Sequence, residues 1–92
     1  MKSINKILKE RGNNYGDYKG GSQFRVNIMN LIKQRHIDAN NKPLDPLYEV
    51  YIFDIINKLS RLAATPTHLD SWVDIAGYAT LISKEVKKDA DK

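Results

Sequence analysis

Apolar positions recur at intervals of three and four in four stretches of this 92-residue chain and nowhere alternate strictly, a pattern that predicts helices and no strands. In the first stretch Ile4, Ile7 and Leu8 share a face behind Ser3 as N-cap, and Gly12 stands where the helix would end. Residues 12–22, GNNYGDYKGGS, break the period. They hold four of the five glycines and are expected to form a loop. Ser22 then offers a cap for a second helix, with Phe24, Ile28, Leu31 and Ile32 on its apolar face, running to about Arg35.

Residues 36–45 are polar and turn-rich, and Asp45-Pro46 is a strong start signal for a third helix reaching Ala64. Ile52, Ile55, Ile56, Leu59, Leu62 and Ala63 define its apolar side. Thr65-Pro66 closes it, because a residue before proline is biased out of the helical region. Thr67 and Asp70 match a relaxed capping box at the head of a fourth helix. Its expected core stripe is Leu69, Trp72, Val73, Ile75, Ala76, Ala79, Ile82 and Val86, and the polar tail from Lys87 is expected to fray. The fold class is therefore all-α: one domain over residues 1–92, a small four-helix bundle whose two C-terminal helices form an antiparallel hairpin. At this length the core is either compact or completed by a partner subunit, so a homo-oligomer is expected.

Composition narrows the functional classes. Hydrophobic residues at 41% and charged residues at 28% place the chain among folded globular proteins. The net charge of +4 suits an anionic small molecule. Its basic residues are interspersed with acids, not gathered in a run, so nucleic acid is not the expected partner. Without cysteine there is no disulfide, thiol nucleophile or Cys-based zinc site. No stretch has the length of a membrane span or the form of a signal peptide, and a cytoplasmic protein with no membrane contact is expected.

The chemistry lies on the polar faces of the third and fourth helices. Asp54, Lys58 and Arg61 are spaced by four and three and share one face, as do Asp70, Asp74, Gly77 and Tyr78. Equal rise along an antiparallel hairpin pairs positions whose numbers sum to about 131 or 132. Arg61 is then expected opposite Asp70, Lys58 opposite Asp74 and Asp54 opposite Tyr78. Two readings follow: an interhelical lock that sets register, or a ligand site, favoured by the weight of three polar rungs on one small core. Gly77, costly inside a helix, points to tight helix crossing or ligand contact, and Trp72 to a core anchor or a stacking platform. The loop YGDYKGG adds Tyr15, Gly16, Asp17, Tyr18 and Lys19 as groups able to close over an anion, although the Gly-Lys-Ser/Thr ending of a phosphate-binding P-loop is missing. Asp70 and Asp74, with Asp54 or Glu49, are the residues that could hold Mg²⁺, with Lys58 and Arg61 competing for those carboxylates. No cofactor and no catalytic residue is assigned.

The segments ERGNNYGDYKG and KLSRLAATPTHLDSWVDIAGYATLI resemble a family of small phage and prophage proteins. Its signature is a Tyr-Gly-Asp or Tyr-Gly-His loop, a Lys-x-x-Arg helix and an Asp-x-Trp-x-Asp-x-x-Gly-Tyr helix. Here these are Tyr15, Gly16 and Asp17; Lys58 and Arg61; and Asp70, Trp72, Asp74, Gly77 and Tyr78. That family is distantly similar to the MazG-type all-α nucleotide pyrophosphohydrolases and to helical domains of phage nucleotide modification. The resemblance implies a nucleotide ligand in the cytoplasm of a phage host. The MazG pattern of a Glu-Glu-x-x-Glu helix followed by Glu-x-x-Asp is absent, and Glu49 stands alone. The leading expectation is thus a non-catalytic nucleotide binder that sequesters a host immune signal. The alternatives are a Mg²⁺-dependent pyrophosphohydrolase or nucleotide-modification protein, and a helical adaptor for a host protein or nucleic acid.

Overall fold

The computed structural model describes residues 18–90 together with Ile4, which is helical and 76% exposed. The described residues form three helices: α1 (Tyr18–Asn40), α2 (Pro46–Ala64) and α3 (Leu69–Ala90). The all-α expectation holds. A four-helix bundle does not: the rest of the first expected helix lies outside the described residues, and α2 is the central element, with α1 and α3 both packed on it.

Helix α1 departs from expectation at both ends. It begins at Tyr18, so Gly20 and Gly21 lie inside it and Ser22 is not its cap. The reason is a close crossing. A Cβ on Gly21 would come within 3.0 Å of the Ser60 Oγ on α2, and the Ser60 hydroxyl donates to the Gly21 carbonyl at 3.4 Å. Tertiary packing here outweighs a glycine cost of about 1 kcal/mol. At the other end the helix continues through His36–Asn40, where Gln34 donates to Asp38 at 2.8 Å and Asn40 donates to the His36 carbonyl at 3.0 Å. These i,i+4 bonds keep a polar stretch helical. Asn41, at φ 55°, stops it in the left-handed region with its N–H on the Ile37 carbonyl at 2.7 Å.

Helix α2 follows its signals. The Asp45 carboxylate accepts from the Leu47 N–H at 2.8 Å, Pro46 opens the first turn, and Thr65 caps the end with its N–H on the Arg61 carbonyl at 2.8 Å. A turn closed by His68 N–H on the Thr65 carbonyl at 3.0 Å reverses the chain, giving the expected antiparallel hairpin. At the head of α3 the His68 ring Nδ1 and the Ser71 hydroxyl meet at 2.7 Å, and the Ser71 N–H donates to the His68 carbonyl at 3.2 Å. Helix α3 then runs to Ala90, beyond the point where fraying was expected.

The largest correction concerns which side of α3 faces inward. Of the expected stripe, Leu69, Trp72, Val73, Ala76, Ala79 and Val86 are exposed, and only Ile75 and Ile82 are half-buried. The inward face carries fully buried Ser71, with Asp74, Ile75, Tyr78 and Ile82 along the same side. The short turn and the Lys58–Asp74 bond to α2, at 2.9 Å, fit this rotation of the helix, and the apolar face is left to solvent. Buried hydrophobic residues among those described are Met29, Ile56 and Leu62. Of the side chains expected in the core, Leu31 is 67% exposed and Leu59 38% exposed.

Candidate functional site

Three cationic side chains meet in a hollow of about 390 Å³ between the helices. Helix α2 supplies Phe53, Asp54, Asn57, Lys58 and Arg61, whose spacing puts them on one face over two turns. From α1 come Tyr18 and Arg25, seven residues and so nearly two turns apart. Tyr78 closes the α3 side.

The Arg25 guanidinium lies 5.6 Å from the centroid of the Tyr18 ring, within cation–π range, and one of its nitrogens donates to the Ser22 hydroxyl at 2.9 Å. The Lys58 ammonium meets the Asp74 carboxylate at 2.9 Å, with the lysine side chain 15% exposed and the acid 45%. The aspartate is open enough to water that the pair adds only modest stability. The lining presents three cations and the carboxylate of Asp54, and Asp74 pairs with one of those cations, so the hollow keeps a small positive excess and favours an anion.

A second hollow of about 330 Å³ adjoins the first, lined by Met29, Pro46, Glu49, Val50, Phe53 and Asp54. It is the more apolar of the two. Phe53 and Asp54 line both, so the α2 face from Pro46 to Arg61 offers an apolar end and a basic end.

Of the expected site residues, Tyr18, Lys58, Arg61 and Tyr78 come together in the basic hollow with Asp54, and Asp74 joins through its bond to Lys58. Lys19 is exposed and outside the lining. Asp70, Trp72 and Gly77 are exposed and do not line the hollow, and a Cβ on Gly77 would meet nothing within 4 Å among the described residues. Tyr15, Gly16 and Asp17 lie outside the described residues. Arg25, Phe53 and Asn57 belong to the site and were not expected there. The signal for Arg25 was its two-turn spacing from Tyr18, hidden by reading a loop up to Ser22. Among the described residues no group of three or more His, Cys, Asp or Glu side chains could hold a metal ion. No described helix is long and apolar enough to cross a membrane.

Fold and site together define a small all-α domain with a basic, tyrosine-walled hollow between its helices. The chain belongs to the family described as a domain of unknown function, DUF6378, whose model matches residues 1–86. No curated protein and no solved structure matches it.

Proposed function

We propose that this chain is a non-catalytic binder of a phosphate-bearing nucleotide, held in the basic hollow. The convergence of Arg25, Lys58 and Arg61 beside Tyr18, Tyr78 and Phe53 carries this reading. Guanidinium and ammonium groups suit phosphate oxygens, and the aromatic rings offer flat faces for a base. A volume of about 390 Å³ falls within the range of small-molecule sites. Phe53, at the join of the two hollows, takes the stacking role first considered for Trp72. The likeness of the Tyr-Gly-Asp, Lys-x-x-Arg and Asp-x-Trp-x-Asp-x-x-Gly-Tyr motifs to small phage proteins supports a phage setting, in which such a binder would sequester a nucleotide signal of host immunity.

Titration calorimetry of the full chain against mononucleotides, cyclic dinucleotides and ADP-ribose derivatives tests the proposal. Saturable binding tighter than about millimolar, weakened by Lys58→Met and by Arg25→Met, is the expected result; heats no larger than dilution across the panel would remove the reading. The Lys58–Asp74 bond favours one rival, in which the seam only fixes helix register in an adaptor protein. In that case Lys58→Met with Asp74→Leu keeps biological function intact.

A further inference from the structure

The side of α3 turned away from α2 runs through Leu69, Trp72, Val73, Ala76, Thr80 and Ser83, all exposed. Leu69 is 70%, Trp72 52% and Val73 58% exposed, and this stripe carries no charged side chain. Its polar groups are already satisfied. The Trp72 indole N–H donates to the Pro66 carbonyl at 2.9 Å, the Thr80 hydroxyl to the Ala76 carbonyl at 2.8 Å, and the Ser83 hydroxyl to the Thr80 carbonyl at 2.8 Å. Such a face leaves water without abandoning a hydrogen bond. The bond to Pro66 also holds the Trp72 ring in place, so docking against it immobilises little more.

Gly77 adds an independent observation. Glycine inside a helix costs about 1 kcal/mol relative to alanine. Among the described residues nothing lies near enough to its missing Cβ to account for it.

We infer that this face is an interface between two copies of the chain, formed by antiparallel α3 helices about a two-fold axis next to Ala76 and Gly77. The stripe is bulky at its start, with Leu69, Trp72 and Val73, and small at its end, with Ala79, Thr80 and Ser83. Antiparallel pairing sets the bulky half of each helix on the small half of the other, and Ala76 on the partner's Gly77. Parallel pairing would set bulk against bulk. Charge agrees with the same arrangement: Asp70 and Lys84, close to four turns apart on one flank, would each face the opposite charge on the partner. A two-fold makes that contact twice. The exposed stripe amounts to roughly 600 Å² per copy, or about 1,200 Å² for the pair, the lower end of what a stable dimer buries. None of this depends on the nucleotide reading.

Sedimentation velocity on the full chain, from about 1 to about 100 µM, reads the outcome directly. The wild type is expected at twice the mass of one chain. Ala76→Arg, which sets like charges against each other at the axis, is expected to weaken association at least about a hundredfold while leaving the helical circular dichroism unchanged. Asp70→Lys and Lys84→Asp each weaken association, and the two together restore it. Because the chain has no cysteine, Ala76→Cys should form a disulfide-linked pair under mild oxidation, whereas Gln34→Cys on α1 should not. A wild type that stays monomeric throughout, association that survives a folded Ala76→Arg, or failure of Ala76→Cys to cross-link each overturns the inference. The last of these decides the matter should Ala76→Arg not fold.

Discussion

The Lys58 ammonium and the Asp74 carboxylate, sixteen residues apart in the chain, stand 2.9 Å from one another across the α2–α3 hairpin. The lysine is withdrawn from solvent and the acid is not, so the two partners respond differently to substitution. Asp74→Asn leaves a largely buried ammonium without its counter-charge and is expected to cost about 1 kcal/mol in urea unfolding. Yet it should leave nucleotide affinity unchanged or higher, because Lys58 no longer divides its charge between acid and ligand. Lys58→Met is expected to lower that affinity at least about tenfold. Equal loss from both variants would instead mark the pair as a register lock.

Arg25 should matter to ligand and not to fold. Its bonds are to Ser22 and the Tyr18 ring on its own helix. Arg25→Met is therefore expected to shift the unfolding free energy by no more than about 0.5 kcal/mol while lowering nucleotide affinity about tenfold, as calorimetry and urea titration would read.

Gly21 and Gly77 are expected to respond with opposite sign to alanine. At Gly21 the new methyl meets the Ser60 hydroxyl at 3.0 Å, so Gly21→Ala should destabilise the wild type and become neutral or stabilising in a Ser60→Ala background, a coupling of about 0.5–1 kcal/mol. At Gly77 the space is open. With association removed by Ala76→Arg, Gly77→Ala should stabilise the chain by about 0.5–1 kcal/mol.

Tyr48 donates its phenolic hydrogen to Asp89 at 2.9 Å, tying the start of α2 to the end of α3. That hydrogen bond, followed by burial and nearby carboxylates, holds the phenol above its ordinary value of 10.0. A raised folded-state value contributes stability that is complete below pH 10 and is lost as pH rises through it. Thermal melts should fall more steeply above pH 10 for the wild type than for Tyr48→Phe, with the two curves parallel near neutrality. Parallel curves throughout would show that the bond contributes nothing.

The hairpin was legible because its signals are local: Asp45-Pro46 and Thr65-Pro66 fix the ends of α2, and constant helical rise then pairs Lys58 with Asp74. The start of α1 was not, because Gly20-Gly21 reads as a break until Ser60 supplies a reason for a bare backbone. That one error separated Tyr18 from Arg25 and hid a third of the basic charge in the hollow. On α3, periodicity revealed an apolar face but not what covers it. The rotation of the helix follows the turn and the Lys58–Asp74 bond, with Ser71 inward and Trp72 outward.

Phe53 and Asp54 stand in the wall common to both hollows. Neither hollow can be reshaped alone from that wall: trimming the Phe53 ring widens both at once, and a change of charge at Asp54 alters the potential in each. A mutational map of this protein will therefore show these two neighbours acting on a ligand in either hollow, whichever end of α2 it enters.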